Sequence, residues 1–273
     1  MAYERLGESP IDYYQCRYGK SKLMFRGPKK DLRKGYFAFI GGTETFGKYV
    51  KHPFPDLLES SLEWPCVNLG AVNAGVDAFV NDPAIIDICG GSKGTVVQVM
   101  GAQNMSNRLY SVHPRRNDRF LKSSSLLETL YREVDFTEYS FTRHLLSSLK
   151  ELSPEKFTVV EEELKEAWVA RMSAMLRKIT GRTILLWISD RQPDSLEQSE
   201  DAPLGLDPLF VGREMIERIR PLVTDVVEVQ VPRSYANKGV EGMFFPPMEL
   251  GAAEELYGPD VHQHIADHLR SAF

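Results

Sequence analysis

Cysteine is scarce and a basic excess is missing. The three cysteines, Cys16, Cys66 and Cys89, are odd in number and widely spaced, with no Cys-x-x-Cys pair. That excludes a disulfide framework, argues against a zinc site, and leaves reduced thiols as the expectation. Lys and Arg number 33 against 38 Asp and Glu, a net charge of -5. Neither nucleic acid nor an anionic membrane surface is an expected partner for such a chain. No apolar run approaches the length of a membrane span. The stretch Met1-Ala2-Tyr3-Glu4-Arg5 lacks the basic-then-apolar build of a signal peptide, so a cytoplasmic protein is expected. There are no internal repeats.

What is present is the make-up of a globular protein with a sizeable core. The 273 residues are 42% hydrophobic and 26% charged. Residues 1–35 are rich in Tyr, Lys and Arg, with Gly27-Pro28 as a turn, and read as an irregular lead-in packed on a single domain spanning 36–273. Five short apolar runs then recur with helical or loop spacers between them. They are Tyr36–Ile40, Cys66–Leu69, Thr95–Met100, Thr183–Ile188 and Val226–Val231. Buried strands alternating with helices predict an α/β fold, a three-layer α/β/α sandwich around a mainly parallel sheet of about five strands.

Two segments interrupt the alternation. Residues 104–156 carry many Arg, Ser and aromatic residues with no clean period and read as an insertion. A helix is predicted from about Val159 to about Ile179, with Val160, Leu164, Trp168, Met172, Met175 and Leu176 on one face as a core stripe. Residues 189–208 read as a polar, solvated loop, with four acidic residues between Asp194 and Asp201.

The most informative stretch is Tyr36-Phe37-Ala38-Phe39-Ile40-Gly41-Gly42-Thr43-Glu44-Thr45-Phe46-Gly47-Lys48. A strand runs into a glycine-bracketed turn bearing hydroxyls and then into a helix. This arrangement sets polar groups at the carboxyl end of a sheet, where open α/β sheets bind ligands. Two later strand ends are also glycine- and amide-rich: Asn68-Leu69-Gly70-Ala71-Val72-Asn73-Ala74-Gly75 and Gly101-Ala102-Gln103-Asn104.

In this order the three blocks resemble those of the SGNH (GDSL-type) hydrolases. The first reads Ile40-Gly41-Gly42-Thr43-Glu44-Thr45-Phe46-Gly47, with Thr43 where that family has its nucleophilic Ser and Gly42 where it has Asp. The second offers Gly75, or Gly70, for the oxyanion-hole Gly. The third offers Asn104 for the oxyanion-hole Asn, one residue beyond the family spacing. The chain is also similar to an uncharacterised branch of bacterial proteins with the same divergent pattern, and that branch lends no activity. The resemblance covers the first hundred or so residues and implies a flavodoxin-like topology and an ester hydrolase acting on substrates such as O-acyl carbohydrates, with no metal or organic cofactor.

Acyl transfer needs a hydroxyl nucleophile, a base and preset oxyanion donors. The resemblance gives these roles to Thr43, to Gly75 and Asn104, and to a C-terminal Asp-x-x-His. Only Asp260-Val261-His262 stands near that last place, one residue short. Asp260 after Gly258-Pro259 reads as a helix N-cap, and His262, Ile265, Ala266 and Leu269 share the inward face. His262 oriented by Asp260 is therefore the candidate base, and a satisfied core His is the alternative. The β-branch of Thr43 restricts its side chain and crowds an incoming carbonyl.

Two further functions remain open. From Gly42 to Lys48 the chain also fits the phosphate-cradling Gly-x-x-x-x-Gly-Lys-[Ser/Thr] loop, except that Tyr49 stands where the hydroxyl belongs. A sulfotransferase-like loop needs no metal and survives that change. A catalytically inactive SGNH-like module that binds carbohydrate or acyl groups fits the departures at Gly42, Thr43 and the His block. Finally, Arg108, Arg115 and Arg116, in a basic stretch from 107 to 122, read either as a solvated face or as guanidinium groups overhanging the site to select an anionic substrate.

Overall fold

The computed structural model of the chain describes residues 11–195, 204–236 and 238–273. Seven strands run among them: β1 (Phe37–Ile40), β2 (Cys66–Asn68), β3 (Gly94–Gln98), β4 (Tyr110–His113), β5 (Arg116–Ser123), β6 (Thr183–Ser189) and β7 (Asp225–Gln230). The helices of the first half are α1 (Thr43–Phe46), α2 (Phe54–Leu62), α3 (Asp77–Val80), α4 (Pro83–Gly90) and α5 (Ser125–Leu130). Those of the second half are α6 (Thr142–Leu152), α7 (Pro154–Leu176), α8 (Arg213–Ile219), α9 (Arg233–Ala236), α10 (Leu250–Glu254) and α11 (Pro259–Arg270).

Five strands form one sheet in the order β2-β1-β3-β6-β7, every pair parallel. All five expected strands are present, within two residues of their predicted ends. Because successive side chains alternate across a strand, each strand feeds two cores. Ala38, Ile40, Val97, Leu185 and Trp187 face one layer with α4, α7 and α8. Phe39, Val96, Ile184, Leu186 and Val229 face the other with α2 and α11. The molecule is thus an α/β sandwich with helices on both faces of a parallel sheet.

The chain leaves β1 for β2 on one side and reaches β3 on the other, so the direction of winding reverses between β1 and β3. The carboxyl ends of such a pair open a crevice that covering helices do not fill.

The predicted core stripe of α7 is buried, with Trp168 donating its indole N–H to the Met100 carbonyl at 2.7 Å. The helix begins five residues before the expected start. Ser153 caps it by accepting from the Lys156 amide, and Pro154 occupies its first position, where a missing N–H costs nothing. Residues 104–156 contain the antiparallel hairpin β4–β5, whose register shifts twice, followed by α5 and α6. Those shifts are why no alternation is visible there. Of the lead-in, Tyr18, Leu23 and Phe25 join the larger core. Of the four acidic residues expected in the polar loop, Glu197, Glu200 and Asp201 lie outside the described residues.

Candidate functional site

A cleft of about 530 Å³ lies at the carboxyl ends of β1, β3 and β6. Its wall takes Gly42, Thr43 and Glu44 from the turn after β1, Asn73 and Ala74 from the loop after β2, and Gln98, Val99, Met100, Gly101, Gln103 and Asn104 from β3 onward. Asp118, Phe141, Thr142 and Arg143 reach it from the 104–156 insertion, Ser189 and Asp190 from β6, and Glu255 and Tyr257 from the segment before α11.

The turn after β1 is held from two sides. The Gln98 side-chain oxygen accepts from the Gly42 amide (2.9 Å), the Thr45 amide (3.3 Å) and the Thr45 hydroxyl (2.6 Å). The same amide group donates to Glu44 at 2.7 Å. On the far side, buried Arg26 spreads its guanidinium over the carbonyls of Phe46, Gly47, Val50 and Lys51 at 2.7–3.3 Å. A planar fork with five donors suits that task.

Asn73 joins the loops. Its backbone N–H donates to Thr43 Oγ1 at 3.0 Å, and the Thr43 hydroxyl donates back to Asn73 Oδ1 at 3.3 Å. Asn73 Nδ2 donates to Asp118 Oδ2 at 3.1 Å, and the Asn73 carbonyl accepts from Asn104 Nδ2 at 3.4 Å. Its backbone is left-handed, φ 56°, a conformation Asn tolerates better than most residues. The result is a chain of hydroxyl, amide and carboxylate from Thr43 through Asn73 to Asp118.

Thr43, Asn104 and the loop of Gly75 therefore converge, and their polar groups bond largely to one another and to the protein. The Gly75 N–H, the expected oxyanion donor, points to Asn117 Oδ1 at 2.9 Å. Asn104 Oδ1 accepts from the Thr142 hydroxyl at 2.7 Å.

His262 does not reach the cleft. It is buried between α11 and α2, stacked on Phe54, and its Nδ1 accepts the Phe54 amide at 3.2 Å. Burial, with the nearby Arg26 charge adding to it, pushes the imidazole down to about 3. Asp260 does not orient it. The helix is capped by Gly258 and starts at Pro259, so Asp260 sits in the first turn, half-exposed and paired with Lys238. The expected Asp-His pair fails because the inward face of α11 belongs to the layer under the sheet, not to the strand ends.

The phosphate-loop reading is also overturned. Gly47, in the left-handed region at φ 72°, closes a single helical turn; the helix does not begin there. The Gly-Lys pair thus lies at a helix C-terminus, where carbonyls rather than N–H groups are unsatisfied. Lys48 pairs with Glu249 at 3.6 Å and lies over the Tyr49 ring.

The basic residues do not overhang the site. Arg108 binds Glu163 through its Nε at 2.6 Å and its backbone N–H at 2.9 Å. Arg115 and Arg116 are exposed at the β4–β5 turn and absent from the cleft wall. The hairpin contributes Asp118 instead. Among the described residues, the charged groups on the wall are five carboxylates, Glu44, Asp118, Asp190, Asp207 and Glu255, and the guanidinium of Arg143.

Burial raises the half-buried Glu44 carboxyl above its ordinary range, opposed by the Gln98 amide and reinforced by Asp207. Tyr257 donates to Asp190 at 2.9 Å, and burial with that neighbouring charge pushes its phenol up. Asp118 and Tyr257 carry no motif that marks them in the sequence, and Glu44 and Asn73 lie inside the first and second blocks without a role assigned to them there. Gln98 had one signal: a lone long amide inside the otherwise apolar Val96–Met100 run.

The family model described as a domain of unknown function, DUF6473, matches residues 1–273, and the chain belongs to that family. No curated protein matches it. Among solved structures, a lipase, Lip_vut3, from a goat rumen metagenome is 10% identical, with a TM-score of 0.45 over 88% of this chain and 97% of that one. A Lactobacillus plantarum protein is 10% identical, with a TM-score of 0.40 over 87% and 95%. A carbohydrate esterase family 2 enzyme with a carbohydrate binding domain, from Corynascus thermopiles (Myceliophthora fergusii), is 11% identical, with a TM-score of 0.39 over 89% and 69%. Likenesses this distant carry no inference about chemistry. Among the described residues, no helix is long and apolar enough to cross a membrane.

Proposed function

We propose that this DUF6473 member is a divergent SGNH-like protein whose cleft binds a hydroxyl-bearing small molecule of the carbohydrate class and does not hydrolyse esters. The SGNH-like part rests on the three matching strand ends and on a sheet order that, counted over its own five strands, is the 2-1-3-4-5 of flavodoxin-like folds. The binding part rests on the cleft itself. Its volume is that of a small-molecule site, and its wall mixes amides and carboxylates with the rings of Phe141 and Tyr257.

Asn73 carries the reading. A nucleophilic hydroxyl must pass its proton to a base. The group that receives the Thr43 proton is the Asn73 side-chain oxygen, and an amide oxygen accepts a hydrogen bond without accepting a proton near neutral pH. Among the described residues, no His lines the cleft. The Gly75 N–H assigned to the oxyanion is taken by Asn117, and the Asn104 amide is turned to the Asn73 carbonyl by one N–H at 3.4 Å while its oxygen accepts from Thr142. An occupied donor gives no preset charge stabilisation.

Hydrolysis of p-nitrophenyl acetate by the wild type, Thr43→Ala and Thr43→Ser tests this. Equal, near-background rates are expected for all three. In working enzymes, losing one machinery group costs on the order of a hundredfold or more. A wild type that outruns Thr43→Ala by such a factor overturns the reading.

A further inference from the structure

The last helix carries two histidines that the cleft does not use. On α11, His262, Ile265 and Leu269 point under the sheet, while His264 and His268 share the adjoining stripe. Four residues apart on a helix, two side chains meet one turn above the other. His264 is half-buried against the Tyr235 ring and His268 is exposed. Their ring centroids are 4.2 Å apart, and the rings are tilted by 58° rather than laid flat on each other. Neither lines the cleft.

Each ring is also turned by a backbone partner. His268 Nδ1 donates to the His264 carbonyl at 2.8 Å. A carbonyl only accepts, so Nδ1 carries the proton and the Nε2 lone pair is left open. The His264 ring is hydrogen-bonded to the Gln230 backbone at the end of β7, in the sense that favours a ring N–H, as a carbonyl acceptor does. Burial, followed by the neighbouring His268, holds His264 below its ordinary value, so the ring is neutral near neutral pH. Imidazoles that ligate metals are oriented in this way, one nitrogen bound to the ion and the other donating to a carbonyl or carboxylate. The pair also lies toward the C-terminus of α11, where the helix dipole favours positive charge, and Asp267 pairs with the nearby Arg270 at 3.1 Å.

We infer that His264 and His268 form a two-histidine site for a divalent transition-metal ion, of the class that imidazole suits: Cu²⁺, Ni²⁺ or Zn²⁺. Metal–imidazole bonds are about 2.0–2.1 Å long, so one ion can touch a nitrogen of each of two rings this close. The same spacing on one helix face serves zinc elsewhere. Among the described residues, no group of three or more His, Cys, Asp or Glu is placed to hold a metal, so water fills the remaining positions. The site is independent of the cleft and of what binds there.

Isothermal titration calorimetry with the chloride salts, on the untagged chain at about pH 7, tests the site. One Cu²⁺ per chain is expected to bind more tightly than Ni²⁺ or Zn²⁺. Mg²⁺, which prefers oxygen ligands, should give no heat of binding. Losing even an outer-shell partner costs about 10–100-fold in metal affinity, so His264→Gln and His268→Gln should each weaken Cu²⁺ by at least about tenfold. His144→Gln, which removes an exposed histidine on α6, is the control and should bind as the wild type does. A loss in only one of the two α11 variants means single-histidine binding and overturns the chelate. No Cu²⁺ binding, or equal affinity in the two variants and the wild type, overturns the site.

Discussion

Gly75→Ala is expected to destabilise the protein by about 3 kcal/mol or more, the upper end of what overpacking costs. A Cβ there would lie 1.7 Å from the Asn104 carbonyl oxygen and 2.7 Å from its carbon. Both are backbone atoms, so no side chain can swing aside. Asn104 is in turn held by Asn73 and Thr142, and Gly75 by Asn117. The loops after β2 and β3 must separate, and the cleft wall separates with them. For a chain of this size the melting temperature should drop by roughly 6–12 °C. Gly251→Ala is the control. Its Cβ would meet open space inside α10, and replacing a helical glycine should gain roughly 0.5–1 kcal/mol. A Gly75→Ala protein melting within about two degrees of the wild type contradicts the close approach of the two loops.

The second large effect is acid sensitivity at His262. Folding keeps this imidazole neutral down to about 3, mainly through burial and then through the charge of Arg26. In the unfolded chain it protonates near its ordinary value of about 6.5. Between those values the unfolded state binds the extra proton, so stability falls as pH falls. Above the window both states are neutral and His262 contributes no pH dependence. The expected slope from this one group is about 1.4 kcal/mol per pH unit.

His262→Gln keeps an acceptor for the Phe54 amide and removes the titration. Urea-unfolding free energies between about pH 6.5 and 4 should therefore decline less steeply in the variant, by close to that amount per unit. Parallel curves would place His262 outside the core between α11 and α2.

Much of the fold was legible because buried parallel strands are continuous apolar runs. Thr183–Ile188 and Val226–Val231 stood out as β-branched blocks, and both lie within a residue of β6 and β7. The start of α7 was missed although Ser153-Pro154-Glu155 is a readable start signal. Phe157, buried in the first turn three residues before Val160, extends the core stripe toward that start, while Val159 is exposed. The hairpin in the insertion was hidden by its register shifts, which break the two-residue period.

The site was legible only to the level of the backbone. Strand ends in an open sheet gather at one edge, so the meeting of the Thr43, Gly75 and Asn104 loops followed from the alternation of elements. What each side chain does there was not readable from spacing. Asp260 and His262 are two residues apart on one helix, which says which face His262 takes but not that this face meets α2 and Phe54. Gly47-Lys48 matches a phosphate loop in letters, while the left-handed Gly47 ends the helix that such a loop must begin. Arg115, Arg116 and Asp118 are close neighbours in sequence, and a turn between two strands sends the first two outward and Asp118 to the cleft.

Whether the Thr43 hydroxyl is a nucleophile or a hydrogen-bonding strut can be read from covalent labelling. The protein is incubated with a fluorophosphonate, which phosphonylates activated hydroxyls, and its intact mass is measured beside a serine hydrolase control. With the hydroxyl donating to the Asn73 amide oxygen and, among the described residues, no His on the wall, the mass should remain that of the unmodified chain. A stoichiometric adduct mapped to Thr43 would contradict the account.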